Sequence, residues 1–353
     1  MLRGAGRLAL AYVAAMFIFG AFVITKGANP IAMYSDMWQS TVTNSASVGE
    51  VFIKAAPLIL AALAVAVPAR AGLINVGGEG QIVMGAIGAG GAALALDGSL
   101  PGGVMILVMA LAAIVSGALW AGIAGALRLT VRVNEAITTL LLNYVAIDLL
   151  LYLIYDPWKD PNGSGQPATR PLAEAARLPL LGNSRVHIGI FVAVVATGLI
   201  WAVLRWTTWG FNLRVVGGNP EAARRAGLPV SRLLMSAMLV GGALAGLAGM
   251  IHFAGSELKL RPGMTFNLGY IAFLASWLAR HHPLKVAGAA ILLAGIAIAG
   301  DSLQLDSGLP AASVNVLMGL VLVAVMGRGM VKQREPKTTT TATPATPAPA
   351  VAS

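Results

Sequence analysis

The sequence predicts an all-α fold, a polytopic bundle of transmembrane helices. Apolar residues make up 57% of the 353-residue chain and charged residues only 11%, whereas about a quarter of an ordinary soluble domain is charged. Apolar runs recur from Leu8 to Met326, and several reach the roughly 20 residues that a helix needs to cross a bilayer. Most of the chain is therefore expected to face lipid or other helices.

We predict about ten spans, with both chain ends in the cytoplasm. Most Lys and Arg residues fall in the connections that this arrangement places in the cytoplasm, as the positive-inside rule requires. Aspartates such as Asp97 and Asp156 collect on the other side. Two of the spans, 267–280 and 285–300, are short for a full crossing. The predicted spans are 8–26, 50–69, 73–96, 102–127, 133–155, 186–205, 233–253, 267–280, 285–300 and 311–327.

One membrane domain, residues 1–334, is followed by a Thr- and Pro-rich tail, residues 335–353, that is predicted to be disordered. The sequence has no cysteine, which excludes disulfides and thiolate metal sites. Its four histidines lack the spacing of metal ligands, so no metal or cofactor is predicted. The net charge is +10, but the basic residues are scattered between apolar runs. Membrane topology explains this charge better than nucleic-acid binding.

A glycine-rich polar stretch, Asn75–Gln81, interrupts the predicted span 73–96. Its glycines permit an unwound backbone, which is tolerated at membrane depth only where protein or a cavity covers it. We therefore predict a discontinuous helix beside a solute path. Glu79 in this stretch is a functional candidate because ionisable residues inside a membrane usually have a function. The alternative is that Glu79 and Asn75 simply bond to the freed backbone groups.

A second polar cluster lies in the segment 133–144. Glu135, Thr138 or Thr139, and Leu142 or Asn143 recur at helical spacing, which predicts a polar stripe along one helix face. Asn134 and Glu135 also stand where capping and helix-dipole complementarity are ordinary roles. The residues predicted to line the path are Asn75, Glu79, Gln81, Thr138 and Asn143.

The loop Asn219–Gly227 has the signals of a short helix. Asn219 is a candidate N-cap, Pro220 a first helical residue, and Gly227 a stop. An isolated helix of about two turns is marginal in water. We therefore expect it either to bind in a groove of another protein or to be a connector that lies on the surface of its own protein. Further along, Gly241–Gly249 places small residues four apart, which predicts close helix packing or a hinge.

These segments together resemble the permease family of bacterial ATP-binding-cassette (ABC) importers for simple sugars, branched-chain amino acids and nucleosides. The resemblance covers roughly residues 50–327, and the Asn-Glu-Ala-Ile-Thr-Thr and Leu-Leu-Asn-Tyr sequences within 134–144 are similar to the nucleoside-type branch. The sequence departs from the family pattern at 265–270 and 275–278. The resemblance implies a coupling helix that docks on the ATPase subunit, formed by Asn219, Pro220, Glu221, Ala222, Ala223, Arg224, Arg225, Ala226 and Gly227.

The resemblance further implies a permease subunit of a bacterial inner membrane that forms the path for a small polar solute, a nucleoside or alternatively a sugar. The sequence has no Gly-x-x-x-x-Gly-Lys-Ser/Thr loop, so it is not expected to be an enzyme, and a separate ABC subunit would hydrolyse ATP. The other implied partners are a second, related permease subunit, membrane lipid, and an extracytoplasmic solute-binding lipoprotein. This lipoprotein would deliver solute near Asp97, 156–185, 257–261 and 301–310.

A function of another class stays open at this point. An ion-coupled secondary transporter or channel could work through membrane-embedded acids such as Glu79 and Asp148. The sequence offers few such acids and shows no obvious inverted repeat, which favours the ATP-driven alternative.

Overall fold

The structure is a computed structural model that describes residues 2–43, 45–163, 165–265, 267–306, 313, 315–321 and 323. The predicted tail, residues 335–353, lies outside the described residues, and so does much of the predicted span 311–327. The α-helices are α1 (Leu2–Thr25), α2 (Pro30–Trp38), α3 (Ser45–Arg70), α4 (Gly78–Ala95), α5 (Gly102–Thr130), α6 (Glu135–Tyr155), α7 (Gly189–Trp206), α8 (Thr208–Gly218), α9 (Pro220–Arg225), α10 (Val230–His252), α11 (Leu268–Leu278) and α12 (Pro283–Asp306).

Six helices among the described residues are long and apolar enough to cross a membrane: α3, α5, α6, α7, α10 and α12. The pair formed by Val13–Thr25 and Pro30–Thr43, bent by 119°, would make a seventh span. The prediction of about ten spans is therefore not confirmed. Helix α4 begins with polar residues, and α11 has only 11 residues. The span predicted at 285–300 is longer than expected, because α12 extends over 24 residues.

Helix α3 lies inside the bundle, whereas α5 and α7 lie at its surface. In the most apolar stretch of α3, 83% of the residues are buried, against 28% in α5 and α7. A helix that is apolar all round suits a fully enclosed position. Every residue of α3 from Ala55 to Val67 is buried. The exposed apolar side chains of α5 and α7 are typical of a surface that faces lipid.

Glycines let α10 approach its neighbours closely, as the stretch Gly241–Gly249 predicts. A Cβ atom added to Gly246 would lie 2.0 Å from the carbonyl oxygen of Ala113 in α5. A Cβ atom added to Gly249 would lie 2.0 Å from the carbonyl oxygen of Ile82 in α4. The prediction of close packing is confirmed, and α3, α4, α5 and α10 form one tightly packed unit around these contacts.

The connections gather at two opposite ends of the bundle. One end, called the basic end, holds Arg70 and the connections 131–134, 207–229 and 279–282. Arg70 Nη2 donates there to the carbonyl oxygen of His281 at 2.8 Å. The other end, called the loop end, holds 96–101, 156–188 and 254–262. Leu172 N donates to Leu258 O at 2.7 Å across it.

Candidate functional site

An unwound segment, Leu73–Gly77, connects α3 to α4 in the interior of the protein. The chain turns at Gly72, whose φ of +80° suits glycine, and is not helical again until Gly78. The predicted unwound backbone is therefore present. Its position differs from the prediction, because it lies between two helices and does not interrupt a single span.

Helix α6 supplies hydrogen bonds to this unwound segment. The Glu135 carboxylate accepts from Ile74 N at 3.1 Å, and the Thr139 hydroxyl accepts from Val76 N at 3.2 Å. The same carboxylate pairs with Arg128 at 3.0 Å. Backbone groups that a helix would have satisfied are thus bonded to side chains, as buried polar groups require.

Asn143 joins three parts of the site. Its Oδ1 accepts from Gly80 N at 2.8 Å, and its Nδ2 donates to Val76 O at 3.1 Å. Nδ2 also donates to the hydroxyl of Tyr270 in α11 at 3.3 Å. The side chain is fully buried, and a Cβ atom on Gly80 would lie 2.8 Å from the Cα of Asn143. Glycine is therefore required at position 80 for α6 to come this close.

Asn75 and Gln81 form a reciprocal amide pair. Asn75 Nδ2 donates to Gln81 Oε1 at 3.0 Å, and Gln81 Nε2 donates to Asn75 Oδ1 at 2.9 Å. Asn75 Oδ1 also accepts from Gly77 N at 3.1 Å. Thr138, by contrast, donates to Asn134 O in its own helix at 3.0 Å, and it makes no described hydrogen bond to the segment or to α4.

Glu79 connects α4 to the start of α11. Its Oε2 accepts from Gly269 N at 2.6 Å, and its Oε1 accepts a short hydrogen bond from the Thr265 hydroxyl. Helix α4 runs from this point to the loop end and α11 runs to the basic end, so the two N-termini meet here. Each N-terminus carries a partial positive charge. The buried carboxylate of Glu79 lies where it can neutralise both.

A cavity of about 190 Å³ borders the unwound segment on its basic-end side. Asn75 lies in its wall together with Phe273, Trp277 and His281. Burial and, as the smaller cause, the nearby charge of Arg70 together lower the pKa of His281 to about 4. The wall is therefore aliphatic and aromatic apart from Asn75 and His281, and His281 is uncharged near neutral pH.

Helix α9 lies at the basic end with the local structure that the loop sequence predicts. Asn219 Oδ1 accepts from Glu221 N and from Ala222 N, both at 3.0 Å, and Gly227 ends the helix with a φ of +79°. Glu221 pairs with Arg224 at 2.5 Å. Ala223 is fully buried, whereas most other residues of Asn219–Gly227 are exposed. The helix therefore rests on its own protein through one side and presents the remainder outward.

Comparison with known proteins shows the family to which this chain belongs. Residues 47–326 match the model of a protein family described as "Branched-chain amino acid transport system / permease component". The match covers well over half of the chain. The chain belongs to this permease family.

Relatives of this permease align over most of its length. The glucose ABC transporter permease protein TsgB13 of Haloferax volcanii is 36% identical over 90% of this chain and 86% of the relative. The guanosine ABC transporter permease protein NupP of Bacillus subtilis is 32% identical, over 87% and 88% respectively. The nucleoside ABC transporter permease protein NupB of Lactococcus lactis subsp. cremoris is 29% identical, over 91% and 90%. The resemblance predicted from the sequence is confirmed.

Three residues of the permease site were absent from the sequence-based candidates. Thr265 and Gly269 bond to Glu79, and Tyr270 bonds to Asn143. All three lie in the segment 265–270, where the sequence departs from the family pattern. That departure from the family pattern was the available signal in the sequence.

Proposed function

We propose that this chain is the permease subunit of an ATP-driven importer of nucleosides in a bacterial inner membrane. The observation that carries the proposal is the end-to-end similarity to permeases of guanosine and nucleoside ABC transporters. A sugar is the second candidate, because the glucose permease relative has a higher identity, 36%. An ion-coupled transporter is not favoured, since these relatives belong to ABC transporters.

The proposed function includes docking of the segment Asn219–Gly227 on an ABC ATP-binding subunit. Its charged side chains face outward. The Arg225 side chain is 81% exposed even though its Nε lies 3.4 Å from Glu221 Oε1. A helix of six residues is marginal without a partner surface. A groove in the ATP-binding subunit would complete it.

The basic end is accordingly proposed to face the cytoplasm, in agreement with the positive-inside rule. The loop end would then face a solute-binding protein outside the membrane. A second, related permease subunit would complete the path. ATP hydrolysis belongs to the ATP-binding subunit, and this chain contributes no bond chemistry.

The solute path is proposed to follow the unwound segment and the cavity beside it. Asn75, which lies in the cavity wall, would contact the solute. Glu79, Gln81 and Asn143 would hold the wall in place through the bonds described above. Thr138 lies beside them on α6 and is 8% exposed. Solute passage would require the α4 and α11 starts to separate, because they are in backbone contact in this structure.

Affinity purification followed by transport assays tests the function. The chain is purified from membranes in mild detergent, co-purifying proteins are identified by mass spectrometry, and uptake of labelled guanosine and labelled glucose is measured in proteoliposomes with ATP. Recovery of an ATP-binding subunit and ATP-dependent guanosine uptake are expected. Uptake by the chain alone under an ion gradient, without ATP, would contradict the proposal.

Reversal of a charge pair tests the docking helix. Glu221→Arg with Arg224→Glu keeps the local ion pair but exchanges the charges that a partner would contact. We expect loss of the co-purifying ATP-binding subunit. The matched control reverses the exposed pair of Glu50 and Arg185, 3.6 Å apart at the loop end, and should leave that subunit bound. Retention of the subunit by the first variant would exclude docking through α9.

Asn143→Leu tests the path. The variant loses the bonds to Gly80 N and Val76 O, and we expect a lower uptake rate or a higher KM for the solute. Asn183→Leu, the same change at an exposed loop-end residue, is the control. Uptake with unchanged KM and rate in Asn143→Leu would remove Asn143 from the path.

A further inference from the structure

The basic end carries a group of cations without acidic partners. Arg70, Arg205, Arg214 and Lys285 form no ion pair with a carboxylate anywhere in the described part of the chain. The carboxylates of Glu135 and Glu221 at this end already pair with Arg128 and with the arginines of α9. The end therefore has an excess of positive charge that the described protein does not neutralise.

Three of these cations converge although they come from different helices. Arg70 ends α3, Arg205 lies near the end of α7, and Lys285 lies in the first turn of α12. Arg70 Nη2 donates to the carbonyl oxygen of His281 at 2.8 Å, four residues before Lys285, and Arg214 donates to the carbonyl oxygen of Leu204, the residue before Arg205. The end of α7 and the start of α12 therefore lie close to Arg70, and the pKa of His282 is lowered by burial first and then by the charges of Arg70, Lys285 and Arg205.

Below the cluster, α7 presents an apolar face that the described part of the protein leaves exposed. Phe191, Val195 and Leu199 recur every four residues and are 56%, 68% and 61% exposed. The rise of a helix puts Phe191 about 21 Å from Arg205 along the axis. One leaflet, half of a ~30 Å hydrocarbon core together with its headgroup region, has a comparable thickness. Trp206, 68% exposed, lies beside Arg205, and tryptophan prefers the membrane interface.

The geometry points to a binding site for an anionic phospholipid between the end of α7 and the start of α12. Arg205 and Lys285 bind the headgroup phosphate from the membrane side, and Arg70 contributes charge from behind. The acyl chains lie along Phe191, Val195 and Leu199. Basic pockets between transmembrane helices bind anionic headgroups by this combination of charge and apolar surface. The site does not depend on which solute the permease carries.

Native mass spectrometry of the purified complex, titrated with phosphatidylglycerol, tests the site. Each basic residue near a membrane surface changes affinity for anionic lipid by about fivefold. Arg205→Ala with Lys285→Ala should therefore bind phosphatidylglycerol about 30-fold more weakly. Arg205→Lys with Lys285→Arg should retain the affinity. Lys159→Ala with Arg185→Ala removes two exposed cations at the loop end and should also retain it.

Each outcome decides the question. Unchanged affinity in Arg205→Ala with Lys285→Ala overturns the proposal, and so does equal affinity of the wild type for phosphatidylcholine. Displacement of the lipid by an equal concentration of inorganic phosphate would show a site for free phosphate. Loss of the ATP-binding subunit with unchanged lipid affinity would show a protein-docking surface. If the double variant does not fold, Lys285→Gln, a change at an exposed residue, should still weaken binding about fivefold, and unchanged binding overturns the site.

Discussion

Replacing Glu79 by Gln removes the charge at the junction of α4 and α11 without changing its shape. The carboxylate accepts hydrogen bonds from Thr265 and from Gly269 N, and bonds to a charged group contribute about 1.5–3 kcal/mol each. The amide keeps one acceptor oxygen, which can serve Thr265, but its NH2 group would face the Gly269 N–H. One charge-assisted bond is lost and a buried donor is left unpaired. We expect the free energy of unfolding to fall by about 2–3 kcal/mol.

The loss corresponds to a decrease of about 30- to 150-fold in the ratio of folded to unfolded protein. Thermal unfolding of the detergent-solubilised chain, followed by tryptophan fluorescence, should show a melting temperature several degrees lower. Glu174→Gln makes the same chemical change at an exposed loop-end residue and should change stability by less than about 0.5 kcal/mol. A double-mutant cycle with Thr265→Ala should be non-additive. If the Glu79→Gln variant were as stable as the wild type, the reasoning would be refuted.

Three further changes test the packing, the orientation and the coupling. Gly246→Ala places a methyl group 2.0 Å from a carbonyl oxygen of α5, so overpacking should cost about 1–3 kcal/mol in thermal unfolding; an unchanged melting temperature would contradict the close packing. Because the sequence has no cysteine, Ser184→Cys and Ala226→Cys can be probed with an impermeant maleimide: cells should label only the former, and the reverse pattern would invert the topology. Gly217→Ala should lower ATP-driven uptake while the ATP-binding subunit stays bound. Gly218→Ala is the control, because its Cβ would meet no atom within 4 Å, and it should change neither uptake nor subunit binding.

The long apolar helices could be predicted from the sequence because hydropathy alone defines them. The predicted spans 102–127 and 133–155 correspond to Gly102–Thr130 and Glu135–Tyr155 with errors of a few residues. The predicted spans 73–96 and 267–280 correspond to the shorter helices α4 and α11, which are not among the six long apolar helices. Both begin inside the protein, where neighbouring helices cover their polar starts, and a hydropathy window cannot distinguish a helix that starts there from one that crosses the bilayer.

The helix Pro220–Arg225 could be predicted residue by residue, since its cap, first residue and stop are local signals. The partners of Glu79 could not. Thr265 and Gly269 lie 186 and 190 residues further along the chain, and no local pattern reports a contact at that separation. The sequence supplied the candidate residue and left open whether it served the path or the backbone. The structure places Glu79 in hydrogen bonds to Thr265 and to the start of α11, which are bonds of the second kind.

A series of contacts leads from α9, the helix proposed to dock on the ATP-binding subunit, to that junction. Helix α9 follows directly on α8, and a Cβ atom on Gly217 of α8 would lie 2.3 Å from the carbonyl oxygen of Arg70. Arg70 is followed by the unwound segment Leu73–Gly77, and this segment leads into α4 and Glu79. Arg70 also holds the turn after α11 through His281. A displacement of α8 would therefore act on both helices whose starts meet at Glu79. It would reach α4 through the unwound segment that precedes it, and α11 through the turn that follows it. Chains of packed elements can carry coupling between sites, and the Gly217 contact is the step in this chain that a single added methyl group would disturb.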